Sequence, residues 1–163
     1  MNLSTHFTLE EFIASEVAAR RGIDNTMPTE LMSASVAVCT QIAEPARSVL
    51  GPLRITSGYR CPALNKAIGG AKDSQHMRAE ALDLIPVAHG VRVLDLLLWI
   101  HGHVIFDQLI WEFGGAWCHA SYSLTGPQRR ETLAAVLGPP DATGKRKTVY
   151  ARLTDEQIKA LEV

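Results

Sequence analysis

The chain has 163 residues, 47% of them hydrophobic, with a formal net charge of −1. That length suits one domain with its own core, and the near-neutral balance excludes the broad basic footprint of a nucleic-acid-binding surface. Three cysteines, an odd number without dense spacing, exclude a disulfide framework and read as buried or free thiols in a reducing compartment.

The opening residues MNLSTHFTLEEF carry no basic segment followed by an apolar run, so no secretory signal is expected. Thr8 with Glu11 three residues on forms a capping-box pattern. It predicts a helix from Leu9 to about Arg20 that stops near Gly22. MPTELMSASVAVCTQIAEPARSVLG predicts a second, longer helix, with Pro28 in its first turn, Gly51 past its end and a kink at Pro45. LRITSGYR supplies a short strand, Leu53–Ser57, that runs into a loop. CPALNKAIGG predicts one or two helical turns ended by glycines. AEALDLIP reads as a strand ending at Pro86.

GVRVLDLLLWIHG has helical spacing and length. Asp95 interrupts its most apolar run, which is far shorter than the ~20 residues a membrane helix needs. FDQLIWEF and AWCHASY, joined by a glycine pair, read as a β-hairpin. ETLAAVLG fits a strand or a helix, GKRK (Gly144–Lys147) a solvated turn, and TDEQIKALEV a final helix. Strands and helices mix without a βαβ rhythm, which predicts the α+β class.

The hairpin permits a register. With Gly114 and Gly115 as the loop, Glu112 faces Trp117, Trp111 faces Cys118 and Ile110 faces His119. Side chains alternate between faces along a strand, so Glu112, Ile110, Trp117 and His119 share one face and Cys118 points to the other. Glu112 and His119 become diagonal neighbours, roughly 7–8 Å apart or a little less at Cβ. A one-residue slip would separate them. That distance suits a carboxylate bonded to a water held beside His119.

Catalytic zinc takes three protein ligands and keeps a fourth position open. His76, Asp83 and His119 offer such a set, and two imidazoles with one carboxylate leave the metal positive enough to polarise a carbonyl. The His76-to-Asp83 spacing is not a helix-face spacing, so it needs a loop and strand that fold back on each other. By spacing alone these residues fit a structural or surface pair as well as a metal site. His101 and His103, around Gly102, fit helix C-terminal residues favoured by the macrodipole or metal ligands. His6 and His89 read as surface or capping residues. Trp99 and Trp111 read as core.

The combination ITSGYRCPALNKAIGGAKDSQHMRAEALD, FDQLIWE and WCHASY resembles the zinc D-alanyl-D-alanine peptidases. It is most similar to the phage and prophage branch that cuts bacterial peptidoglycan. The hallmark there is S-x-H-x-x-G-x-A-x-D followed by W-x-H, and the chain supplies Ser74, His76, Ala81, Asp83, Trp117 and His119 in register. Ala79 stands where that family has glycine. The resemblance runs over about residues 3–122, with 123–163 as an extension of the same single domain. It implies a hedgehog/DD-peptidase-like fold: a small antiparallel sheet carrying the zinc, with helices packed on one side.

It further implies Zn2+ held by His76, Asp83 and His119, substrate contacts from Arg60 and Ser74, and Glu112 as general base; Trp117, which the hairpin register puts on the site face, is the third substrate-contact candidate. Many relatives place that acid three residues before the last histidine, where this chain has Ala116; the phage branch resembles FDQLIWE and points to Glu112. Asp107 is a reserve, set by parity on the other face. Without the resemblance, Arg60 reads as a structural salt-bridge residue.

The expected activity is hydrolysis of peptidoglycan stem or cross-link peptides, as an endopeptidase or a D-Ala-D-Ala carboxypeptidase. A non-catalytic virion or wall-associated protein that keeps the fold, and a cytoplasmic D-alanyl dipeptidase, are the alternatives. The expected protein is a monomer made in the cytoplasm, with neither nucleic acid nor membrane as partner. It would reach the wall by holin-type release or virion delivery.

Overall fold

A computed structural model describes residues 1–161. The first predicted helix is two: α1, Leu9–Ile13, and α2, Glu16–Arg21. Thr8 and Glu11 form the anticipated capping box, and Gly22 ends α2 in the left-handed region at φ 61°. The break falls at Ala14–Ser15, where Ser15 turns extended and its hydroxyl accepts from the Ala18 amide. A serine so placed satisfies an orphan donor of a new helix start.

The second helical segment begins with a 3-10 turn, Thr29–Leu31, and continues through α3, Met32–Val38, and α4, Glu44–Leu50. Between them Cys39–Ala43 are wound as π-helix. Pro45 lacks an N–H and crowds the carbonyl four residues before it, and a π-turn immediately upstream is one way a helix absorbs that defect. Gly51 closes the segment at φ 83°.

Strand β1 is Leu53–Ser57, α5 Pro62–Ala67, β2 Ala81–Pro86 and α6 Val93–His103. The hairpin follows as β3, Gln108–Glu112, and β4, Trp117–Ser121. ETLAAVLG lies in a strand, β5, Glu131–Pro140. It pairs with an unanticipated β6, Arg146–Arg152, and α7, Asp155–Ala160, comes last. Glu162 and Val163, at the end of the predicted final helix, lie outside the described residues. Of the GKRK run, Gly144 and Lys145 sit in a turn organised by the Asp141 carboxylate, whereas Arg146 and Lys147 already belong to β6.

The six strands form one sheet in the order β1-β2-β4-β3-β5-β6. The class is α+β as expected, but the sheet is mixed, because β5 runs parallel to β3. One face carries Leu82, Leu84, Leu109, Cys118 and Ala120, all fully buried. Against it pack α6, through Leu96, Leu97 and Ile100, and the earlier helices through Phe12, Val38 and Ile42. α1, α3, α4 and α6 thus cover one side, whereas α2 and α5 reach the cleft on the other. Cys39 and Cys118 are buried free thiols and Cys61 is a half-buried one. Burial pushes the Cys39 thiol up to about 12, so it stays protonated. No helix among the described residues is long and apolar enough to cross a membrane.

Candidate metal centre and active-site cleft

Register builds the centre. Asp83 on β2 pairs directly with His119 on β4, and His119 pairs with Ile110 on β3. Both polar side chains therefore stand on the face opposite the helices. His76 arrives from outside the sheet, on a 3-10 turn, Gln75–Arg78. Ala79 caps that turn in the left-handed region, at φ 55° and ψ 24°, and its amide reaches the Gln75 and His76 carbonyls. The reversal feeds straight into β2, which lays His76 over Asp83. This is the position where glycine was expected, and it does require the conformation that glycine adopts freely.

Gly58 completes the support. A Cβ there would lie 2.3 Å from the Phe12 carbonyl oxygen, so only glycine lets the loop after β1 approach α1 this closely. Its own carbonyl oxygen lies 2.6 Å from His76 Nδ1. A carbonyl only accepts, so Nδ1 carries the hydrogen and the neutral ring presents its lone pair at Nε2. Burial lowers the His76 pKa despite the opposing pull of Asp83, which favours that neutral form.

Three donor atoms converge. His76 Nε2 is 3.1 Å from His119 Nδ1 and 3.3 Å from Asp83 Oδ1, and His119 Nδ1 is 3.0 Å from Asp83 Oδ1. Ligands of a tetrahedral zinc at about 2.0–2.1 Å stand roughly 3.3 Å apart. The triangle therefore fits one such ion, and the three residues form a group able to hold a metal. Burial opposes charge on Asp83, but His76 and His119 outweigh it and hold the carboxyl far below the usual range. A neutral imidazole and an ionised carboxylate are the forms a metal binds.

The remaining predicted residues surround this triangle. Arg60 sends Nη2 to Asp83 Oδ2 and Nε to the Ser57 hydroxyl at 2.8 Å. Its guanidinium thus holds the Asp83 carboxylate, the structural role left open beside a substrate role. Ser74 precedes the 3-10 turn without capping it through its side chain. Trp117 lies opposite Glu112, with its ring 5.5 Å from that of Phe113. Glu112 pairs with Trp117 as the hairpin arithmetic required, but pairing stops there: Phe113–Ala116 form a four-residue turn, and Phe113 does not pair with Ala116 around a two-glycine loop.

Glu112 is 7% exposed and has the same face as His119. Burial pushes its carboxyl up, more than the opposing pull of His119 pulls it down. Asp107 precedes β3 rather than belonging to it, so strand parity does not govern it, and it lines the same cleft. It accepts from Arg129 Nε at 2.9 Å and Nη2 at 2.6 Å, and from Gln75 at 3.0 Å. Burial raises its pKa, yet these donors bring it below the usual value, so it is a locked ion-pair acid rather than a base.

Arg60, Ser74, His76, Asp83, Glu112, Trp117 and His119 all line one open cleft of about 1450 Å³. The sequence reading missed the Gly58 carbonyl, the Asp107–Arg129 clamp and the contribution of β6. Of these only Gly58 had a signal, as the glycine of the SGYR loop. His101 bonds the Thr132 hydroxyl at 3.0 Å, and His103 stacks on Trp99, so neither joins the centre.

A sequence model of the family described as Peptidase M15 matches residues 5–119. That span contains every one of the predicted site residues. No curated protein matches the chain.

Proposed function

The chain belongs to the peptidase M15 family of zinc-dependent metallopeptidases, and from that premise we propose that it hydrolyses peptide bonds in the stem or cross-link peptides of bacterial peptidoglycan. The observation that carries this reading is the convergence of three donor atoms within 3.3 Å of one another beside a buried carboxyl on the same sheet face. His76, Asp83 and His119 would hold the ion, which when bound supplies Lewis acidity and lowers the pKa of water.

The rest falls to the chain's own side chains. Glu112 accepts a proton from the attacking water and returns it to the departing amine nitrogen. A buried carboxyl with a raised pKa suits both halves of that exchange. Arg60 fixes the orientation of Asp83 as a ligand. Trp117, beside Glu112, offers an aromatic wall to the substrate, and Ser74 a hydroxyl. The cleft is open and, at about 1450 Å³, larger than the usual ~300–1,000 Å³ of a small-molecule pocket. This favours an extended or cross-linked peptide over a free D-alanyl dipeptide.

Mass spectrometry of muropeptides before and after incubation with the zinc-loaded protein is the test. New peptide termini are the expected result, and they identify the bond. Intact muropeptides together with rapid cleavage of D-alanyl-D-alanine would replace this reading with that of a dipeptidase.

A further inference from the structure

We infer that the Tyr150 hydroxyl is a substrate-binding group, donating a hydrogen bond to the bound peptide on the Glu112 side of the cleft. The residue lies on β6, beyond the span that matches the family. Register places it. Tyr150 pairs with Ala135 on β5, and Ala135 pairs with Glu112 on β3. The three stand in one row across the sheet and share a face. Ala135 offers only a methyl and is fully buried, whereas Glu112 and Tyr150 on either side of it both line the cleft.

Tyr150 lines the same cleft as Glu112, Asp83 and His119. It remains 53% exposed, so packing alone gives little reason for an aromatic there. The bonds that fasten the cleft, Arg60 to Asp83 and Arg129 to Asp107 among them, do not engage its hydroxyl. Burial, then the charges of Glu112 and Asp83, push the phenol up, so it keeps its proton and acts as a donor. An ionised Glu112 can only accept. A donor in the same row supplies what the carbonyl oxygens of a peptide backbone need.

The inference rests on the peptidase reading above, and Tyr150→Phe tests it because the ring and its packing are kept. Loss of one neutral hydrogen bond to the substrate should raise KM about three- to tenfold, with kcat, zinc content and thermal midpoint unchanged. Calorimetric binding of a cross-linked stem-peptide dimer to the inactive Glu112→Gln protein should weaken by the same factor when Tyr150→Phe is added. Unchanged KM and unchanged binding overturn the inference while leaving the peptidase reading intact. A wild-type protein that cleaves no muropeptide overturns that reading instead, and the dimer-binding comparison still decides Tyr150.

Discussion

Replacing Glu112 by glutamine separates its proposed chemistry from every structural role. The substitution keeps volume and shape, and the carboxylate sits on the sheet face 7% exposed. Removing a general base costs about 10²–10⁴ in turnover, or roughly 2.7–5.5 kcal/mol of barrier. Stability should move the other way. A carboxyl whose folded pKa is raised holds its proton more tightly folded than unfolded. The wild-type fold therefore loses stability as pH climbs from the unfolded value, about 4.3, through the folded one. Glutamine has no such loss, so the metal-stripped variant should be at least as stable as wild type at pH 7. Zinc content should be unchanged, since the three donor atoms are elsewhere. His76→Ala should behave differently, losing metal and activity together. Muropeptide turnover, elemental zinc and a denaturant melt give the three readings. A Glu112→Gln protein within tenfold of wild-type turnover refutes the assignment.

Arg60→Lys keeps the charge but not the fork that spans Asp83 and Ser57, and should weaken zinc binding about 10–100-fold in a chelator competition; unchanged competition would contradict the positioning role. Ala79→Gly relieves about 1–2 kcal/mol of left-handed strain but loses a buried methyl worth about 0.8 kcal/mol and about 0.4–1 kcal/mol through the freer unfolded chain. Its thermal midpoint should therefore stay within about 3 °C of wild type, and a larger rise would show that the strain exceeds this range. Arg129→Gln removes the donors that depress the Asp107 pKa. That pair stabilises the fold above the unfolded carboxyl value and is lost as pH falls through the folded one, so the variant's acid unfolding, followed by circular dichroism, should begin at higher pH than wild type's; coincident curves would refute the clamp. Chelation should lower the melting temperature by about 5–10 °C relative to protein at a hundredfold excess of free zinc over Kd, the equivalent of about 2.7 kcal/mol, and an unmoved melt would mean that the triangle takes no ion.

The elements most legible in the sequence are those that local rules determine. β1 and β2 end where their turn residues do, and the hairpin register follows from alternation and the position of its glycines. The division of α1 from α2 was legible in principle, since Ser15 is a good cap, but the apolar pattern runs through it. The π-turn at Cys39–Ala43 was not, because a proline announces a defect without saying how the helix absorbs it. β6 escaped for another reason. Every one of its residues is exposed, so it has no buried face to impress alternation on the sequence, and it exists only because β5 offers an edge. The partner of Arg60 was equally closed to sequence reasoning, since a guanidinium reaches a substrate or a ligand carboxylate equally well.

The centre itself divides along the same line. Asp83 and His119 are placed by one ladder pair in the middle of the sheet, where strand geometry leaves little freedom. His76 belongs to no strand, and its position depends on three backbone partners instead: the Ala79 amide and the Arg60 amide on its carbonyl, each at 3.2 Å, and the Gly58 carbonyl on its ring. Together with the Tyr122 amide on the Glu80 carbonyl at 2.9 Å, those bonds fasten the chain on both sides of Ala79 and hold alanine in its left-handed position. They also explain why spacing alone could not identify the site: nothing in the interval from His76 to Asp83 states that the chain reverses there. The metal donors and Glu112 therefore sit on a sheet centre and a tied loop, whereas Tyr150 stands on an exposed edge hairpin. Substitutions on that hairpin can change which peptide is held while the donor triangle keeps its geometry, so substrate preference and metal affinity should vary independently in this chain.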